Sequence, residues 1–139
     1  MRFINFNGIQ KNIPTSVVSV RGAHLDLHNE WNFIGYVYEL SSNRFIMRWR
    51  DARIPESFCQ FEFSDVYLVR IEPRDAAYPR DAAQVLSMMI YQEPEGELPF
   101  IKFWFEDQST LEIAADGIAS SFYTKEQPVI PELSTDWSA

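Results

Sequence analysis

Four segments in the second half of the chain alternate large apolar with polar side chains: 58–63 (Phe-Cys-Gln-Phe-Glu-Phe), 67–71 (Tyr-Leu-Val-Arg-Ile), 100–105 (Phe-Ile-Lys-Phe-Trp-Phe) and 110–114 (Thr-Leu-Glu-Ile-Ala). Successive side chains of an extended strand point to opposite faces, so a period of two buries one side and wets the other. This pattern demands an antiparallel sheet with one apolar face. The inward sets it predicts are Cys59, Phe61 and Phe63; Tyr67, Val69 and Ile71; Ile101, Phe103 and Phe105; and Leu111, Ile113 and Ala115. Outward fall Gln60 and Glu62, then Leu68, Arg70 and Glu72, then Lys102 and Trp104, then Glu112. Ser64 and Asp65 read as the connection of a hairpin. Val66 resists a positive φ, which favours a bulge or a longer loop there.

Upstream, Phe45, Met47 and Trp49 alternate with Arg44, Ile46, Arg48 and Arg50, and Trp31 to Leu40 forms an aromatic strand ended by Ser41-Ser42-Asn43. The first thirty residues hold two short strands, Phe3–Phe6 and Ser16–Val20, separated by Gly8, Pro14 and Gly22, and a third over 23–29. Two segments read as helical: Asp81 to Ile90, with Asp81 as the cap, and a turn from Asp116-Gly117 through Phe122. Met88 to Gln92 fits a strand equally well. Glu93 to Glu97 is an acidic loop, Asp107-Gln108-Ser109 joins the last two strands, and 125–139 is an extended tail with Pro128 and Pro131. The expected fold is α+β, one domain over 1–139. A mainly antiparallel sheet curves into a half-barrel or sandwich, with one or two short helices.

Twelve Lys and Arg against twenty Asp and Glu leave a formal charge of -8. That field repels phosphate backbones and favours a basic partner, so nucleic-acid binding is disfavoured. A single cysteine, Cys59, makes no internal disulfide, and Met1 to Gly8 lacks the apolar stretch of a secretion signal, which together predict a cytoplasmic address. No run of about eighteen apolar residues predicts insertion in a membrane.

Candidate chemistry is sparse. His24, Asp26 and His28 share one side of an extended segment, a donor set suited to zinc or iron, but i, i+2, i+4 spacing spreads them over about 13 Å. Cys59, between Phe58 and Phe61, reads as a buried apolar residue rather than a nucleophile. Glu62 and Glu112 are a carboxylate pair on neighbouring strands, unremarkable among twenty acids. Arg44, Arg48, Arg50 and Arg53, with Trp49 and Trp104, resemble a basic and aromatic nucleic-acid surface; ion pairing with adjacent acidic strands accounts for them better. No phosphate-binding, dinucleotide or zinc-protease motif occurs, and no catalytic residue, metal or cofactor is assigned. Trp104 stands apart, because a large aromatic on an outward face often marks an interface centre.

The arrangement of 61–71, an insert, then 101–107 and 111–117 resembles the small acidic immunity proteins that bacteria carry against secreted toxins. The resemblance covers about the last two thirds of the chain and lies in strand order and texture. It implies a stoichiometric inhibitor that covers a toxin's active site and performs no chemistry of its own. From the residues themselves, the surfaces such an inhibitor would use are Trp104 and the acidic loop carrying Glu93, Glu95 and Glu97. The alternative is a small-molecule-binding protein or enzyme with a site inside the curved sheet. A homodimer closed through the Trp104 face is a third reading.

Overall fold

The computed structural model describes residues 1–77 and 84–124. Ten strands follow one another: β1 (Arg2–Ile4), β2 (Phe6–Asn7), β3 (Val17–Val20), β4 (Ala23–Asp26), β5 (Trp31–Glu39), β6 (Arg44–Asp51), β7 (Phe58–Glu72), β8 (Leu86–Gln92), β9 (Phe100–Phe105) and β10 (Thr110–Tyr123). The main sheet runs β5-β6-β7-β10-β9-β8, every pair antiparallel, and β1 lies parallel to β10. The amide of Phe33 donates to the carbonyl of Gln84 at 2.9 Å, tying β5 to the segment before β8 and curling the sheet into a half-barrel. The outer edge of β8 is covered by the N-terminal loop, where Thr15 and Met89 exchange backbone hydrogen bonds and Asn12 donates to Tyr91. A covered edge offers no template for unwanted strand pairing.

β2, β3 and β4 form a second sheet, whose Phe6, Val18, Val20, Leu25 and Leu27 enter the same buried cluster as the inner face of the half-barrel. Phe6 meets Phe61 edge-to-face at 5.0 Å between ring centroids. The first thirty residues therefore complete the core. Phe61, Phe103 and Ile113 are fully buried, and Trp49, Phe45 and Phe63 lie beside them.

The expected α+β class is corrected: the fold is all-β, and no helix occurs among the described residues. Residues 81–83 of the expected helix lie outside the described residues, as does the 125–139 tail; 86–92 is strand β8. Leu86, Met89 and Tyr91 are buried opposite Phe105, Phe103 and Ile101. Pairing satisfies the backbone donors and acceptors along β9, a requirement that outweighs the weak local preference of Leu-Ser-Met-Met.

The expected helical turn over 116–122 is likewise strand, the second half of β10. β1 pairs there with Gly117, Ile118 and Ala119. A Cβ at Gly117 would sit 3.2 Å from Ser64 Oγ and 3.3 Å from Arg2 O, so glycine admits the close approach of strands β1, β7 and β10.

The expected hairpin at Ser64-Asp65 is one continuous strand. Asp65 adopts a left-handed φ of 50°.

 A β-bulge follows, with Ala115 opposite Val66 and Ala114 opposite Leu68, leaving Tyr67 as the extra residue. The kink moves Val66 into the core, while Tyr67 and Ile71, expected inward, are exposed and Val69 only half-buried. Asn43, at φ 53°, holds the site: its Nδ2 donates to the Val66 carbonyl at 3.0 Å.

Candidate partner-binding face

The outer face of β7, β10, β9 and β8 is laid out by register. Glu72, Thr110, Trp104 and Met88 form one row; Arg70, Glu112, Lys102 and Ile90 the next; Leu68, Ala114, Phe100 and Gln92 the third. Trp104 points outward because Phe103 and Phe105 point in, and it is half-buried rather than free. Lys102 Nζ lies 4.8 Å from its ring centroid, a cation–π contact. In the middle row Arg70 Nη1 is 3.2 Å from Glu112 Oε2. Beside these rows lies a cleft of about 480 Å³, lined by Leu68, Arg70, Glu97, Leu98, Phe100, Glu112 and Ala114. Leu68 and Leu98 are 40% and 48% exposed, apolar surface that the rest of this face does not cover.

The acidic loop divides into two parts. Glu93 accepts a hydrogen bond from the Tyr91 hydroxyl and lies 3.8 Å from Lys11 Nζ and 3.9 Å from the amino terminus. The Tyr91 bond first, then Lys11 and the terminus, hold its carboxyl below the usual range. Burial, reinforced by Glu93, raises the Tyr91 hydroxyl. Glu93 thus anchors the N-terminus to the β8 end. Glu95 and Glu97 are exposed and make no side-chain ion pair among the described residues; Glu97 borders the cleft.

The remaining candidates disperse. Asp26 accepts the amides of His28 and Asn29 and the side-chain amide of Asn29, and these bonds, the Asn29 side chain first, lower its pKa. The strand expected over 23–29 ends there, and His28 Nδ1 turns to the Leu86 carbonyl at 2.7 Å. Among the described residues no group of three His, Cys, Asp or Glu is placed to share an ion. Cys59 is fully buried, and burial pushes its thiol up to about 12. Glu62 pairs with Arg44 and faces Ala119, seven positions along β10 from Glu112 (119 against 112), too far for joint acid–base work.

Arg44 is bound by Glu39 and Glu62, and Arg53 by Asp51 and Glu30. Arg48 lies over Tyr123 and bonds Gln60, and Arg50 lies over Phe58. Ile46 and Arg48, expected on a wet face, are in fact buried. Trp49 belongs to the core, on the opposite side of β6.

A second cleft, of about 500 Å³, opens at the mouth of the half-barrel. Phe33, Tyr36, Ile71 and Leu111 supply apolar walls, and Glu72, Arg74, Gln84, Asp107 and Ser109 supply polar groups. Asp107 is buried and accepts from the Ser109 amide at 2.9 Å, the Ser109 hydroxyl at 2.5 Å and Gln84 Nε2 at 3.2 Å. Sequence reasoning missed this cleft because its polar groups come from the end of β7 and from two separate connections, β7–β8 and β9–β10. The one local signal was Asp-x-Ser, the pattern of a side-chain-closed turn. No family model matches the chain, and no curated protein matches it.

Proposed function

We propose that this protein is a non-catalytic protein-binding domain, an immunity-type inhibitor that occludes a basic toxin in the cytoplasm. The observation that carries the reading is the outer face: an aromatic residue, exposed leucines and Glu97, which makes no ion pair among the described residues, share one surface, while the interior is filled by large side chains. A chain of charge -8 attracts a basic partner over long range, and a desolvated aromatic supplies short-range affinity. Co-expression with the products of neighbouring genes tests it. A toxic product should be neutralised by the wild-type chain and not by a folded Trp104→Ala, Leu98→Asp double variant. Equal protection by both chains would refute the assignment of this face.

The mouth cleft supports a second reading, a binding site for a small molecule with several hydroxyl groups, since Asp107, Ser109 and Gln84 sit beside aromatic walls. A thermal-shift screen of such compounds, with Tyr36→Ala as control, separates the two readings. Stabilisation that the variant abolishes would favour the small-molecule reading.

A further inference from the structure

We infer that the outer cleft seats one long basic side chain, lysine or arginine, of the protein partner, an inference that rests on the protein-binding reading above. Its aliphatic stem lies along Leu68, Leu98 and Phe100, and its cation is held between Glu97 and Glu112. Lysine and arginine bury their stems on apolar surface while keeping the charge at a polar rim. The cleft has that composition, with apolar walls and a carboxylate at each of two positions.

Charge selects this occupant. Among the described residues Arg70 is the one cation lining the cleft; it reaches Glu112 Oε2 at 3.2 Å, which leaves Glu112 Oε1 and both carboxylate oxygens of Glu97 to an incoming cation. Lys102, opposite Glu112 across the β9–β10 pair, is engaged with the Trp104 ring and forms no ion pair with Glu112. Glu112 is 9% exposed, so water screens its field less than that of a surface carboxylate. Glu97 and the adjacent Glu95 add negative charge that no described residue neutralises. A purely apolar side chain would desolvate these carboxylates without replacing their hydration. A second copy of the chain would bring a charge of -8 against -8.

The test is an NMR titration of the full ¹⁵N-labelled chain with acetyl-Gly-Arg-Gly-amide, using the leucine and glutamate analogues as controls. The arginine peptide should give saturable shifts at the amides of Leu68, Arg70, Glu112 and Ala114, and the controls none. Glu97→Gln, on an exposed loop, should weaken the effect about fivefold, equivalent to about 1 kcal/mol. Absence of saturation at those amides, an equal response to a control peptide, or an unaltered Glu97→Gln titration would overturn the seat. Once a partner is in hand, loss of its binding in Trp104→Ala but not in Glu97→Gln would reject the seat and keep the protein-binding reading. Peptide saturation by a chain that neutralises no neighbouring toxin would do the reverse.

Discussion

The inner and outer faces of the same four strands, β7 to β10, differ in what their residues are committed to. Inside, Phe61, Phe63, Phe103, Met89, Ile101 and Ile113 have no exposed surface and pack on one another and on the small sheet. Outside, Trp104, Lys102, Arg70, Glu112, Leu68 and Phe100 alternate in charge and size around a cleft. One backbone thus separates a packed face from a solvent-facing one, because a period of two sends neighbours in sequence to opposite sides.

The largest expected effect breaks the inner side of this comparison. Phe61→Ala removes a fully buried ring that touches Phe6 and Trp49, and should cost about 3–5 kcal/mol in denaturant unfolding. Trp104→Ala, on the outer side, should cost less than about 2 kcal/mol. Equal losses would erase the distinction between the faces.

A smaller effect is expected where the faces exchange parity. Asn43→Ala strains a left-handed backbone and removes the bonds to the Val66 carbonyl and from the Tyr38 hydroxyl, at 3.0 and 2.8 Å. A loss of about 1–2 kcal/mol follows, measured by the same unfolding experiment. No loss would mean that the bulge forms without this clamp.

The smallest effect concerns acid. Asp26 and Glu93 have folded pKa values below their unfolded ones, so each favours the folded state when ionised. Their contribution is complete above the unfolded carboxylate range of about 4 and is lost as pH falls through the folded values. The melting temperature should therefore drop below about pH 4, and Asp26→Asn should flatten part of that drop. An acid-independent melting temperature would remove these anchors from the account.

The strands with strict alternation were legible: β6, β9 and the first half of β10 stand where Phe45-Met47-Trp49, Ile101-Phe103-Phe105 and Leu111-Ile113-Ala115 put them. The second half of β10 was not, because Gly117, Ala119, Ser120 and Ser121 are too small to declare a face, and β1 supplies the reason for extension. Val66 and Tyr67 were misassigned for a different reason, while Leu68, Arg70 and Glu72 face outward and Val69 and Ile71 pair with the inward Ile113 and Leu111, as expected. A left-handed Asp65 and one extra residue shift parity without changing composition. The outward direction of Trp104 followed from alternation alone, but the cleft did not, since Leu68 and Leu98 meet only through the β7–β10–β9 pairing.

Hydroxyl-radical footprinting of the chain with and without a toxin that it neutralises, the partner proposed above, tests the central claim most directly. Oxidation of Trp104, Leu68 and Leu98 should fall on binding while Tyr36 and Ile71 at the barrel mouth stay unchanged. Protection of Tyr36 and Ile71 with Trp104, Leu68 and Leu98 still oxidised would contradict it.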